Sequence, residues 1–210
     1  MDSLMKISRL EVGAITLQPV GISINQTLAD SIGVVYCIAQ KRNINFNVID
    51  SDDVIVLHDR KWTAEAIVNI LDNAIKYGDS DCEITITIEP LSLYTKVSIT
   101  NRGMGINKSE WNAIFSRFYR GKNAVDYEGV GLGLYLTKLI IENQHGYILV
   151  DSVQGQYTTF SLLLQNEALQ HSAAYLFHGA VQIPLQLPSP KKSFLWEILS
   201  RIPQPAYSLL

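Results

Sequence analysis

Helical and strand periodicities alternate along this chain, which predicts an α+β domain. Apolar residues recur every three or four positions in 26–43, 59–77 and 135–146, as amphipathic helices require. Residues 82–90 and 96–101 alternate between apolar and polar, as strands with one buried face do. A second pair of segments, 147–153 and 158–165, reads as a closing hairpin around "QGQY".

In chain order, "MDSLMKISRLEVG" (1–13) begins as if in mid-helix. Leu4, Ile7, Leu10 and Val12 keep helical spacing, and Gly13 is a natural stop. "AITLQPVGISI" (14–24) reads as extended. Leu28, Ile32, Val35 and Ile38 place a helix on 26–43. "INFNVI" (44–49) and "VIVLHD" (54–59) read as strands. Asp59 is a suitable N-cap for a helix running to about Tyr77. After the turn "GDSD" come the two alternating strands, then the glycine loop "RGMGIN" (102–107). "KSEWNAIFSRFY" (108–119) has the spacing of a short helix. "RGKNAVDYEGVGLGL" (120–134) is a polar, glycine-rich connection, and the helix after it ends at Gly146. Residues 166–210 hold five of the seven prolines and little periodicity, so they read as a poorly ordered tail. Phe194, Leu195, Ile198 and Leu199 could give that tail one partner-docking helix.

The 210 residues are 47% hydrophobic and 18% charged, enough to bury a core. A net charge of −3 provides no basic field for nucleic acid. Four histidines (His58, His145, His171, His178) and two cysteines (Cys37, Cys82) show no metal-ligand spacing, and the cysteines read as reduced thiols. The chain opens on no signal peptide, and no apolar run approaches the roughly 20 residues of a membrane span. A cytoplasmic location is therefore expected, although a longer parent could be membrane-anchored.

The helix ending in "NILDNAIKYGD" carries the chemistry. Asparagine costs roughly 0.7 kcal/mol relative to alanine in a helix, yet Asn69 and Asn73 stand one turn apart. At about 100° per residue, Ala66, Ile67, Ile70, Leu71, Ala74, Ile75 and Tyr77 fill one broad arc. Glu65, Asn69, Asn73 and Lys76 form a polar stripe along its edge. Such a stripe is either a solvated face or the wall of a ligand site. An amide oxygen suits Mg²⁺, which takes one or two protein oxygens and completes its shell with water and phosphate. Lys76 could meet a phosphate.

Two glycine loops favour the ligand site. "NRGMGIN" follows a strand and "EGVGLGL" precedes a helix. Glycine lets backbone N–H groups approach an anion, and a helix N-terminus adds its dipole. Neither loop is a Walker A or a G-x-G-x-x-G motif: Leu134 and Lys108 stand where the third glycine would be.

In this order the motifs resemble the ATP-binding catalytic domain of sensor histidine kinases, in the superfamily shared with gyrase, Hsp90 and MutL. "EAIVNILDNAIKY" is similar to the N box, "NRGMGI" to the first glycine box and "IFSRFYRG" to the F box. "GVGLGLYLTKLIIENQHG" is similar to the second glycine box and "TTF" to the closing threonine motif. "FSRFYR" favours the kinase branch. So does "ISRLEVG", which resembles the end of the second dimerisation helix. The likeness covers about residues 1–164.

The resemblance implies a two-layer α/β sandwich of Bergerat type, with a mixed sheet covered by helices on one face. ATP and Mg²⁺ would lie between the N-box helix and a lid at 119–131. Asn73 would be the Mg²⁺ ligand, and Asn69 would place phosphates or a metal-bound water. Lys76 and Tyr77 would contact the phosphates or the ribose side, and Arg120 would reach the γ-phosphate. Gly129, Gly131 and Gly133, with Leu132 among them, would bring backbone N–H groups to the phosphate chain. Gly103, Gly105 and Ile106 would shape the adenine pocket, with Thr158 or Thr159 bonding through water. Asn69, Lys76 and Arg120 would carry the catalytic roles.

Asn101 stands where the family usually has aspartate. Its amide oxygen can still accept from the adenine amino group, without charge assistance and about half as strongly. Tyr157 and Tyr147 replace common glycines. The resemblance divides the chain into a dimerisation-helix remnant (1–13), a catalytic domain (14–165) and the tail. No histidine has the acceptor's context, so the chain reads as a truncated kinase. Its partners would be a histidine-bearing dimerisation domain, in cis or in trans, and a response regulator. The rivals are a non-catalytic nucleotide-binding regulator and a gyrase- or MutL-type ATPase. The latter needs a glutamate base where Asn69 stands, with Glu65 a turn further back.

Overall fold

The structure, a computed structural model, describes residues 3–49, 53–121 and 129–167. The chain forms helix α1 (Ser3–Glu11), strand β1 (Val20–Ser23), helix α2 (Ile24–Gln40), strands β2 (Asn45–Ile49) and β3 (Ile55–His58), and helix α3 (Arg60–Tyr77). Strands β4 (Glu83–Pro90) and β5 (Tyr94–Arg102) follow, then helix α4 (Gly133–Glu142) and strands β6 (Tyr147–Val153) and β7 (Tyr157–Gln165). The main sheet has five strands in the order β2-β4-β5-β7-β6. Only β2–β4 is parallel among its pairs, and α3 lies in the crossover that such a pair requires. A second, two-stranded sheet joins β1 and β3 antiparallel.

Period-two patterning decides which sheet face is covered. Ile84, Ile86 and Ile88 of β4, Val97 and Ile99 of β5, and Phe160, Leu162 and Leu164 of β7 are all buried. The register sets Ile86 opposite Ile99 and Ile99 opposite Phe160. Against this face pack Leu28, Ile32 and Val35 of α2, Ile67, Ile70 and Leu71 of α3, and Leu136 and Ile140 of α4, in one core. The result is the expected two-layer sandwich with a mixed sheet.

Helix α3 is fixed at both ends. Asp59 accepts from Trp62 N–H at 3.2 Å, which satisfies an orphan donor of the first turn. At the other end Arg42 donates to Lys76 O at 3.0 Å, Gly78 O at 2.9 Å and Ile75 O. Those are last-turn carbonyls without an intrahelical partner.

Three elements differ from expectation. Only Val20–Ser23 of the 14–24 segment is strand, because Ser23 accepts from Gln26 N–H and starts α2 at Ile24. Residues 108–119 form two short 3₁₀ turns, Lys108–Glu110 and Ala113–Phe115, and no helix. Asn107 caps the first turn, and Phe118 at φ 60° cannot continue a right-handed helix. Helix α4 ends before Gly146. His145 takes the left-handed position (φ 58°), while His145 N–H donates to Glu142 O and Gly146 N–H to Ile141 O, a Schellman-type stop.

Helix α1 is part of this packing. Ile7 and Leu10 are buried, Lys6 bonds Glu65 of α3 at 2.5 Å, and Glu11 accepts from Arg117 and from Tyr135 of α4. The fold runs one step past β7, where Asn166 bonds Leu91 O and Thr95 at 2.7 Å each. The stretch 168–210, which reads from sequence as a poorly ordered tail with a docking helix as the alternative, lies outside the described residues, as does 122–128 within the expected lid. Among the described residues no helix is long and apolar enough to cross a membrane.

Candidate functional site

One cleft of about 310 Å³ opens beside α3. Its first wall is the polar stripe. Asn69, Asn73, Lys76 and Tyr77 line it while Ala66, Ile70 and Ala74 point into the core. The helical period and the apolar arc turn both asparagines toward the cavity. Asp72, exposed, adds a carboxylate to the same wall.

The facing wall is built from the second glycine loop and the start of α4. Gly129, Gly131, Leu132 and Gly133 line it, together with Arg120. Gly131 has φ 73°, and a Cβ there would stand 2.6 Å from Tyr119 O, so only glycine fits. At Gly133 the backbone lies against Asn69, where an added Cβ would be 3.7 Å from the amide Oδ1. Lys76 Nζ would be 3.1 Å from a Cβ on Gly129. Tyr119 at the near end of this wall donates to Glu110 at 2.7 Å, and that bond raises its phenol pKa.

The floor comes from the sheet and the first glycine loop. Asn101, Gly105, Ile106 and Thr158 line it. Gly103 stands behind, pairing with Gly78, and a Cβ on it would meet Tyr77 O at 2.4 Å. Of the two candidate threonines only Thr158 lines the cleft. Thr159, one residue on, projects from the opposite sheet face and meets Thr100 Oγ1 at 2.9 Å. Met104, Tyr119 and Phe160 also line the cleft and were not singled out from the sequence. Phe160 has the signal of a core strand position, and nothing local marks it as a liner.

The residues fit a phosphate-bearing ligand. Asn69 Nδ2 is buried with no hydrogen-bond partner among the described residues. An unpaired buried amide costs about 1–3 kcal/mol, which a phosphate oxygen would remove. Lys76, Arg120 and the N-terminus of α4 bring positive potential to the same end. Among the described residues no three His, Cys, Asp or Glu converge on a metal. A divalent ion here would take a single amide oxygen and lean on the ligand's phosphates, in the manner of Mg²⁺.

Two groups outside the cleft bear on the alternatives. Glu65 is engaged by Lys6 and does not line the cavity. His58 is fully buried; Thr27 Oγ1 lies 2.8 Å from Nε2 and Val56 O 3.1 Å from Nδ1. The carbonyl can only accept, so Nδ1 carries the proton and Thr27 donates to Nε2. Burial lowers the His58 pKa.

A cleft of this kind, between an amide-bearing helix and a glycine loop feeding a helix, suits a phosphate-bearing ligand. Residues 58–168 match the family "Histidine kinase-, DNA gyrase B-, and HSP90-like ATPase", and the chain belongs to that family. Its relatives are sensor kinases. It is 35% identical over 103 residues to the signal transduction histidine-protein kinase ArlS of Staphylococcus haemolyticus, covering 48% of this chain and 23% of that one. It is 30% identical over 175 residues to the sensor histidine kinase GraS of Staphylococcus epidermidis, covering 81% of this chain and 50% of that one. The catalytic domain of the histidine kinase ThkA superposes with a TM-score of 0.61 at 25% identity, over 71% of this chain and 98% of that one. The chain thus spans half or less of the length of these two curated relatives.

Proposed function

We propose that this chain binds Mg·ATP in the α3 cleft and passes the γ-phosphoryl to a histidine on a dimerisation domain. The observation that carries the reading is the buried Asn69 amide, without a hydrogen-bond partner among the described residues, which lies against Gly133 at the edge of a cleft that Asn73 and Lys76 also line. In this reading Asn73 Oδ1 would hold Mg²⁺, which when bound would supply positive charge beside the phosphate oxygens. Asn69 and Lys76 orient the phosphate chain, and the N–H groups of 131–133 meet it at the head of α4. Arg120 reaches the γ-phosphate. Asn101, Gly105, Ile106 and Thr158 enclose the base, with Gly103 supporting them from behind. Positioning and charge neutralisation supply the catalysis: the P–N bond forms as the bond to the β–γ bridging oxygen breaks, ADP leaves and the ring nitrogen loses its proton.

The domain division follows: 14–165 as the catalytic domain, 1–13 as the end of the dimerisation helix, and the rest as tail. The packing of α1 on α3 and α4 supports that entry, since Ile7 and Leu10 are buried there. A histidine presented by another domain, and a response regulator downstream, are the partners this reading requires. The buried His58 is not available as an acceptor. The engagement of Glu65 by Lys6 weighs against a water-activating ATPase.

Incubation of the full chain with γ-labelled ATP, Mg²⁺ and a separately supplied histidine-bearing dimerisation domain tests the transfer. Label on the added domain is expected, in an acid-labile linkage. Nucleotide binding with no transfer to any such domain would instead make the chain a regulatory nucleotide module.

A further inference from the structure

Ser152 of β6 is buried, 7% exposed, and lies one layer behind the cleft wall. Its Oγ makes three contacts. Ile106 N–H donates to it at 2.8 Å, Tyr157 O lies at 2.6 Å, and Thr158 Oγ1 at 3.0 Å. A serine hydroxyl has one proton and two lone pairs. Tyr157 O is a carbonyl and can only accept, so the Ser152 proton belongs to it. Both lone pairs must then receive donors: the Ile106 amide and the Thr158 hydroxyl. The Thr158 proton is thereby committed away from the cleft, and only its lone pairs are left for a ligand.

Asn101 is held the same way. It is opposite Thr158 in the β5–β7 register, and the two are 5% and 6% exposed. Asn101 Nδ2 donates to Arg102 O at 3.0 Å. The reversed amide would set Oδ1 against that carbonyl, two acceptors in contact, so the orientation is fixed. Two neighbouring groups on the cleft floor therefore offer oxygen lone pairs. Such a pair repels a phosphate, or any acceptor, and suits a ligand edge carrying N–H donors.

We propose that Ser152 is a specificity-determining residue: by holding the Thr158 hydroxyl as an acceptor, it makes the cleft prefer a purine with a C6 amino group over one with a C6 carbonyl. This rests on the nucleotide reading above. Adenine presents two N–H bonds at that position, and guanine presents an oxygen. Without Ser152 the Thr158 hydroxyl rotates freely and can donate to the guanine oxygen. Ser152 touches no ligand itself. It positions Thr158 and, through Ile106 N–H, the first glycine loop.

The test is calorimetric titration of the full chain with ADP and with GDP. The wild type is expected to favour ADP. Ser152→Ala is expected to lower the ratio of the two affinities about tenfold, with GDP gaining relative to ADP. A merely structural role would weaken both nucleotides together and leave the ratio alone. Thr158→Val should lower the ratio too, and Ser152→Ala in that background should lower it no further. Should Ser152→Ala fail to fold, Ser152→Cys takes its place, because its thiol is a weaker partner for Thr158, and the same ratio is read. An unchanged ratio in the serine variant, or a further fall in the Thr158→Val background, overturns the proposal while leaving the nucleotide reading intact. A wild type that binds neither nucleotide overturns both.

Discussion

The two walls of the cleft are built in opposite ways. The α3 wall is held from behind: six apolar side chains from Ala66 to Ile75 are buried, Asp59 caps one end and Arg42 the other. The facing wall has little behind it. Among the described residues it meets the cleft mainly through backbone at Gly129, Gly131 and Gly133, anchored by the buried Leu132. The difference teaches how work is divided. Side-chain ligands need a rigid helix to fix their positions, whereas backbone N–H donors need glycine so that the chain can come close.

The largest expected effect comes from breaking the rigid wall through the core. Ile70→Ala should lower the unfolding free energy by about 2–5 kcal/mol, read by denaturant titration. Nucleotide affinity per folded molecule should change far less than stability. The glycine wall should show the converse. Gly131→Ala meets both φ 73° and the Tyr119 carbonyl at 2.6 Å. It should cost about 1–3 kcal/mol locally, and nucleotide affinity should fall while core amide protection in hydrogen exchange is kept. Affinity that survives unchanged would show that this wall does not meet the ligand.

Arg42 sharpens the comparison. Arg42→Ala leaves the α3 carbonyls to water at a cost of about 1–2 kcal/mol. The last turn carries Lys76 and Tyr77, so hydrogen exchange should speed up there and not at Asn69. The smallest effect is a pH dependence. The His58 pKa in the fold is depressed by burial, so the unfolded chain binds the proton more tightly. His58's contribution is fully present above its unfolded value of about 6.5 and is lost as pH falls from there toward the depressed value. Melting temperature should drop from pH 7.5 to pH 5.5, and His58→Gln should flatten that part of the slope.

Much of the rigid wall was legible in the sequence, because a 3.6-residue period and a polar stripe are properties of one helix. The glycine loops were legible as motifs. The failures fall where tertiary context decides. Trp111, Ile114, Phe115 and Phe118 have helical spacing, but Ile114 enters the core and Phe115 stacks edge-on against Phe160 from one short turn, Ala113–Phe115, too brief to continue as a helix. Thr158 and Thr159 are neighbours in sequence and opposites on the sheet, and only the β5–β7 register says which faces the cleft. Ser152 left a faint trace. In "YILVDSV" it shares the alternate set of Ile148 and Val150, a polar residue on a buried-side stripe. Arg42 left none, since its partners lie 33 or more positions away.

The central claim is that Asn73 presents a metal ion to a nucleotide's phosphates. The direct measurement is nucleotide titration of wild type and Asn73→Ala, each with and without Mg²⁺. The wild type should bind more tightly with Mg²⁺, and the variant should lose that increment while keeping its metal-free affinity. The same Mg²⁺ dependence in both proteins would contradict the account.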